Sequence, residues 1–172
     1  IQARQLLKKK LPFWSENDEL LFPKRLSLEQ CSSELTAKYK RTISRNDEEA
    51  QCNISENQYR SVGKKRTLID LTGGMGVDTS FLSDNFDETI YVESQAELCE
   101  LAEHNFKVLK KNIKVVNAKA EDFLTQCGEV DCIYLDPARR DEYGRKMVSL
   151  HDCSPDVAEL QDLLFEKTNT VI

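Results

Sequence analysis

From Arg66 onward the chain alternates short apolar runs with longer stretches whose apolar residues recur at helical spacing. Thr67-Leu68-Ile69-Asp70-Leu71 reads as a short β-branched strand, ended by the cluster Thr72-Gly73-Gly74-Met75-Gly76. Val77, Phe81 and Leu82 continue at helix spacing. Thr89-Ile90-Tyr91-Val92 is a second strand ending on Glu93, and Leu98, Leu101, Ala102, Phe106 and Leu109 mark the helix after it. Ile113-Lys114-Val115-Val116 is a third strand, and Glu121-Asp122-Phe123-Leu124 begins a short helix. A fourth strand is predicted over 130–135, ending on Asp136-Pro137. A crossover helix follows over 155–165, with Ser154 as N-cap and Pro155 at its first position, and Thr170-Val171-Ile172 starts a fifth strand. Alternating strands and helices predict an α/β fold with a parallel, doubly wound sheet, its short apolar strands buried on both faces. Ligands of such sheets bind at the carboxyl ends of the strands, where the strand order reverses.

The first sixty residues carry a different pattern, so we divide the chain into a helical extension over 1–60 and a sheet domain over 61–172. A short basic helix is predicted over 2–10, stopped by Leu11-Pro12. Phe13-Trp14 and Leu20-Leu21-Phe22 are apolar anchors on either side of an acidic loop. Ser27 reads as an N-cap with Gln30 at the capping-box position, opening a helix through Leu28, Cys31, Leu35 and Tyr39. We expect that helix, over 27–41, to pack beside the carboxyl ends of the strands and close the pocket there. Residues 44–58 are polar and acidic, a weak helix or a loop.

Charge changes the picture at the same seam. The extension holds 11 Lys/Arg and 9 Asp/Glu, whereas the rest of the chain holds 13 and 21. With a net charge of -6 the whole chain is not a strongly basic nucleic-acid binder. The basic residues Lys8-Lys9-Lys10, Lys38, Lys40, Arg41, Arg139 and Arg140 would either gather into one patch or stand as solvated surface. No apolar run approaches the length of a membrane span, and no signal peptide opens the chain, so a cytoplasmic protein is expected. Six cysteines without a C-x-x-C pair, and only two histidines, speak against a zinc site and for reduced thiols; no metal is expected. The sequence begins at Ile1 and ends as a strand starts, so we expect a piece of a longer protein.

Three features sit at strand ends, where the chemistry of such a sheet belongs. The glycine cluster lets a ligand approach the backbone closely and meet a helix N-terminus, although a tight strand-to-helix turn would need the same residues. It satisfies neither the dinucleotide fingerprint, since Thr79 stands where the third glycine belongs, nor the P-loop, since no Gly-Lys-Ser/Thr follows. Glu93 ends the second strand about twenty residues later, where a carboxylate accepts the hydroxyls of a ribose. Asp136-Pro137 ends the fourth strand, and Pro137 removes a donor, leaving acceptors that suit an amine. Arg139 and Arg140 are of a type that binds phosphate.

Together these features resemble the class I S-adenosylmethionine (SAM) methyltransferases across 66–172. The run from Leu68 to Gly76 is similar to their motif I, which implies cofactor contacts for Asp70, Thr72, Gly73, Gly74 and Gly76. Glu93 resembles their ribose-binding acid, and Asp136-Pro137-Ala138-Arg139 resembles the Asp-Pro-Pro-x motif of nucleic-acid methyltransferases. Motif I usually has glycine where Thr72 stands. Many members hold adenine with an Asp after the third strand; here Lys119 is near that place, and Ala120 or Glu121 would substitute. The stretches 28–40 and 134–146 resemble a bacterial group with a C-terminal THUMP-like domain. That resemblance implies structured RNA as partner, with Lys38, Lys40, Arg139 and Arg140 toward the substrate. The superfamily sheet has seven strands, so the chain lacks the last ones of a Rossmann-like methyltransferase sheet.

Methyl transfer to an exocyclic amine requires positioning and exclusion of water more than covalent chemistry. Asp136, with Pro137, would hold and orient the amine. Methylation at carbon 5 of a pyrimidine needs a cysteine nucleophile instead. Ala138 stands where one class places it; another class places it beyond the fifth strand. Cys132 reads as a packed strand residue. Two rival readings are a SAM- or nucleotide-binding module without turnover that scaffolds an RNA-binding domain, and a methyltransferase of small molecules or proteins.

Overall fold

The computed structural model describes residues 7–23, 30–44, 65–137 and 153–172. Four parallel strands form one sheet: β1 (Thr67–Asp70), β2 (Glu88–Glu93), β3 (Ile113–Asn117) and β4 (Cys132–Tyr134), in the order β3-β2-β1-β4. Val171 bridges Ile133 in parallel, and the Leu135 amide donates to the Ile172 carbonyl at 2.9 Å, so a fifth strand begins beside β4. The strand order reverses at β1, and the open ends of β1 and β4 lie side by side.

Helices cover both faces, as short apolar strands require. Ile69, Leu71, Val92 and Ile133 pack with Leu124 of one helix (Ala120–Gln126) and with Leu160 and Leu164 of another (Val157–Lys167). On the opposite face Leu68, Cys132 and Tyr134 meet Leu82 of Val77–Leu82, and Tyr91 meets Cys99, Ala102 and Phe106 of Ala96–Val108. Each such side chain contributes about 1.5–3 kcal/mol when fully buried. In chain order, with Pro12–Glu16 as α1 and Glu34–Ile43 as α2, these helices are α3 (Val77–Leu82), α4 (Ala96–Val108), α5 (Ala120–Gln126) and α6 (Val157–Lys167).

The described part of the extension shares a core with the glycine turn. Leu7, Leu11, Trp14, Leu20 and Ala37 cluster with Met75 and Val77. Of the paired anchors, Trp14 and Leu20 are buried, while Phe13 and Leu21 face solvent. The Leu21 backbone is held by buried Asn105, whose Oδ1 accepts from the Leu21 amide and whose Nδ2 donates to its carbonyl, both at 2.9 Å. The expected domain boundary and the polar stretch 45–58 lie outside the described residues. No described helix is long and apolar enough to cross a membrane.

Two helices depart from the sequence pattern. Residues 31–33 interrupt the helix predicted over 27–41, and α2 starts at Glu34. Ser33 caps it, its Oγ accepting from the Thr36 amide at 3.1 Å; Ser27 lies outside the described residues. Its large apolar residues are not its buried face: Leu35 is 80% and Tyr39 65% exposed, whereas Glu34 and the small Ala37 are buried. On the inward side Ala37 joins the apolar core, Lys40 pairs with Asp78 and Arg41 with Asp84. At the other end α6 starts at Val157, two residues later than expected. Asp156, not Ser154, is its cap, accepting from the Ala158 and Glu159 amides at 2.9 and 3.1 Å. A carboxylate there also meets the positive end of the helix.

Candidate functional site

A cavity of about 800 Å³ opens at the carboxyl ends of β1, β2 and β4. The glycine turn, Glu93, Ala120-Glu121 and Asp136-Pro137 all line it, and Gln30, Cys31 and Ser32 of the extension close one side. Helix α2 therefore does not wall the cavity itself; the short segment before it does.

The turn after β1 is built around a buried acid. Asp70 has no exposed surface. Its Oδ1 accepts from the Thr72 amide at 2.9 Å and its Oδ2 from the Thr79 hydroxyl. Burial pushes its carboxyl up to about 7, against the pull of those two donors. Asp70 thus shapes the turn from behind and does not line the cavity. Gly73 donates to the Val92 carbonyl at 3.0 Å, and a Cβ there would lie 2.1 Å from the Tyr91 ring. The same Tyr91 donates its hydroxyl to the Gly74 carbonyl at 2.6 Å. Gly74 and Gly76 take positive φ, +53° and +75°, which glycine adopts without strain. Gly76 is the N-cap of α3 and packs against Phe106, away from the cavity.

Glu93 lies across the turn. Its Oε2 accepts from the Gly74 amide at 3.0 Å and its Oε1 from the Gln95 amide at 2.9 Å. Oε1 also accepts from the Ser94 hydroxyl at 3.1 Å; with two lone pairs on each carboxylate oxygen, Oε2 is the one that keeps capacity for a donor from a ligand. Ala120 and Glu121 open α5 on the next wall.

Asp136 sits at the end of β4, its side chain 55% exposed. Tyr134, two residues earlier on the same strand side, directs its hydroxyl to Asp78 Oδ2 at 3.1 Å and Asp136 Oδ2 at 3.4 Å. Burial and the neighbouring carboxylates push the Tyr134 hydroxyl far above the ordinary phenol range. Asp78 Oδ1, in a residue that lines the cavity, is buried and has no partner among the described residues.

Of the residues expected toward substrate, Lys38 and Lys40 are described and both are paired with acids. Lys38 pairs with Glu34 one turn away, at 2.6 Å, and does not line the cavity. Lys40 is engaged with acids beside Asp136. With Arg41 on Asp84, the run 38–41 is a set of neutralised pairs and not an open basic patch. Arg139 and Arg140 lie outside the described residues. The pattern alone missed Asp78 and Tyr134. Their signals were modest: Asp78 stands two residues after the glycine turn, and Tyr134 shares the period-two face of Asp136. Cys132 is buried in β4, which raises its thiol to about 12.

No family model matches the chain, and no curated protein does. Solved structures do. A protein from Porphyromonas gingivalis W83, to which methyltransferase activity is ascribed, matches with a TM-score of 0.77 and 28% identity. The match covers 99% of this chain and 38% of that one, so the chain spans well under half of that protein's length. A Pyrococcus horikoshii protein with an ascribed RNA methyltransferase activity matches at TM-score 0.57 and 16% identity, over 99% of this chain and 70% of its own. A SAM-dependent methyltransferase of Agrobacterium tumefaciens matches at TM-score 0.54 and 15% identity, over 81% and 42%. The strand order, the glycine turn after β1 and the acids ending β2 and β4 accordingly stand on an α/β sheet with the Rossmann-like methyltransferase fold.

Proposed function

We propose that the chain is the cofactor-binding part of a SAM-dependent methyltransferase acting on an exocyclic amine of structured RNA. The observation that carries this reading is the convergence of three strand-end features on one cavity: the turn at Gly74, the Glu93 carboxylate and Asp136-Pro137. The cavity volume suits a nucleoside-sized ligand. The residues also fit the charge of SAM. Glu93 Oε2 has free acceptor capacity for a ribose hydroxyl, and the Asp78 oxygen left without a partner among the described residues calls for a donor or cation. The turn brings the Gly74 backbone to the cavity wall with no side chain in the way.

Held at the Gly74 turn and by Glu93, SAM would supply a sulfonium methyl group and leave as the neutral thioether, with the amine's proton passing to the Asp136 carboxylate or to water. Asp136 accepts a hydrogen bond from the acceptor amine and aims its lone pair. Pro137 withholds a backbone donor that would compete for that carboxylate. Segment 30–32 narrows access for water. The RNA target rests on the resemblance of Asp136-Pro137-Ala138-Arg139 to the nucleic-acid methyltransferase motif and on the THUMP-like group.

Calorimetry on the full-length protein tests the cofactor. SAM and its demethylated product should each bind one site, and Glu93→Ala should weaken binding by about 1.5–3 kcal/mol, the worth of a hydrogen bond to a charged group. Binding of NAD in place of SAM would refute the reading. Transfer of labelled methyl groups to RNA from a strain lacking the gene tests the substrate. SAM binding with no transfer to RNA, protein or small-molecule fractions would favour a binding module.

A further inference from the structure

Lys40 reaches from α2 to the polar end of β4. Its Nζ donates to Ser32 Oγ at 2.9 Å and to Asp78 Oδ2 at 3.2 Å, and makes a short hydrogen bond to the Tyr134 hydroxyl. It lies 3.4 Å from Asp136 Oδ2 and 4.9 Å from the centre of the Tyr134 ring. The Lys40 side chain is only 18% exposed. Ser32, Asp78 and Asp136 line the cavity, but Lys40 and Tyr134 do not. The ammonium therefore stands behind the carboxylate that faces the cavity.

A carboxylate at an open strand end, half exposed, samples several rotamers in water. Asp78 lies close by, and its like charge pushes the Asp136 side chain outward. A compact ammonium with three donors offsets both effects, because it binds Ser32 and Asp78 while attracting Asp136. Tyr134 directs its one hydroxyl hydrogen between Asp78 Oδ2 at 3.1 Å and Asp136 Oδ2 at 3.4 Å. A lysine so engaged has no donor to spare for an RNA phosphate.

We infer that Lys40 is a positioning residue of the acceptor site: with Tyr134 it holds the Asp136 carboxylate at the cavity edge, so the N-terminal extension completes the active centre. The inference rests on the methyltransferase reading above. It also assigns Lys40 a different role from the substrate contact that the sequence resemblance implies.

Full-length Lys40→Met and Lys40→Arg proteins are compared with wild type, using RNA from a strain lacking the gene as methyl acceptor. For Lys40→Met we expect kcat to fall about 30-fold or more, while KM for RNA and Kd for SAM each change by less than about three-fold. Lys40→Arg should recover part of the loss. Added to Asp136→Asn, which keeps the side-chain shape, Lys40→Met should cost less than about three-fold further, since coupled residues are not additive. A rise in KM alone, loss of SAM affinity, or full additivity with Asp136→Asn overturns the inference. Competitive acetylation with peptide mass spectrometry reads the contact without turnover. Lys40 should react more slowly than Lys38 in wild type, and several-fold faster in Asp136→Asn and Tyr134→Phe. Unchanged reactivity in both variants overturns the inference even where no transfer is seen. Failure of wild type to bind SAM sinks the methyltransferase reading separately.

Discussion

The backbone amide of Asp136 donates to Thr72 Oγ1 at 2.7 Å, so the residue that begins the glycine turn holds the residue that ends β4. The methyltransferases that motif I resembles usually carry glycine at this place. A hydroxyl there ties the glycine-turn wall of the cavity to the β4 wall across the point where the strand order reverses. Thr72→Ala removes one neutral hydrogen bond, worth about 0.5–1.5 kcal/mol. Thr72→Ser keeps it. Chemical denaturation and transfer assays should place the serine variant near wild type and the alanine variant below it on both counts.

The three glycines of the turn should not respond alike to alanine. At Gly73 the new methyl collides with the buried Tyr91 ring at 2.1 Å, and Tyr91 cannot move without losing its bond to the Gly74 carbonyl. At Gly76 a positive φ and the Phe106 ring at 2.6 Å act together. At Gly74 only the positive φ opposes the change, because nothing lies closer than 3.8 Å. Overpacking costs about 1–3 kcal/mol and a left-handed non-glycine residue about 1–2 kcal/mol. Urea unfolding should therefore find Gly74→Ala the mildest of the three.

Asp70 links stability to pH. Its carboxyl is raised to about 7 in the folded protein, chiefly by burial. Between the unfolded value, about 4, and the folded one, the native state holds a proton that the unfolded chain has released. Stability from this group is full below the unfolded value and is lost as pH rises through about 7. Asp70→Asn stays neutral and removes that slope. Urea unfolding at about pH 5 and about pH 8 should show wild type losing stability relative to Asp70→Asn at the higher pH.

Asp136→Ala separates turnover from cofactor binding. The glycine turn follows β1 and Glu93 ends β2, whereas Asp136 lies two residues past β4. We expect methyl transfer by the full-length protein to fall at least about 100-fold, with SAM affinity within about three-fold of wild type. Robust transfer by this variant would remove Asp136 from the mechanism.

Cys132 should be inert as a nucleophile. With its thiol near 12, about one molecule in ten thousand is thiolate at pH 8. Alkylation followed by mass spectrometry should reach Cys132 only on unfolding.

The sheet was legible in the chain because its strands are short, apolar and bounded by turn residues, and each carries its own period. The strands ending on Glu93 and Asp136 and the turn at Gly74 follow from that local pattern, since a strand's end fixes where its next residue emerges. By itself the sequence determined the α/β class, the strand-helix alternation and the three strand-end features. Tertiary structure alone decided which side chains face the cavity and which stand behind it. Asp70 reads like a ligand residue in the motif, yet burial between β2 and β4 turns it into a brace for the turn. Helix α2 reads as amphipathic through Leu35 and Tyr39, yet its polar face is the one turned inward. Lys40 and Arg41 instead meet the acids Asp78 and Asp84, distant in sequence. Long-range charge pairing of this kind leaves no periodic trace in the chain, so the meeting of Lys40 with Asp136 emerges only when the helix is docked.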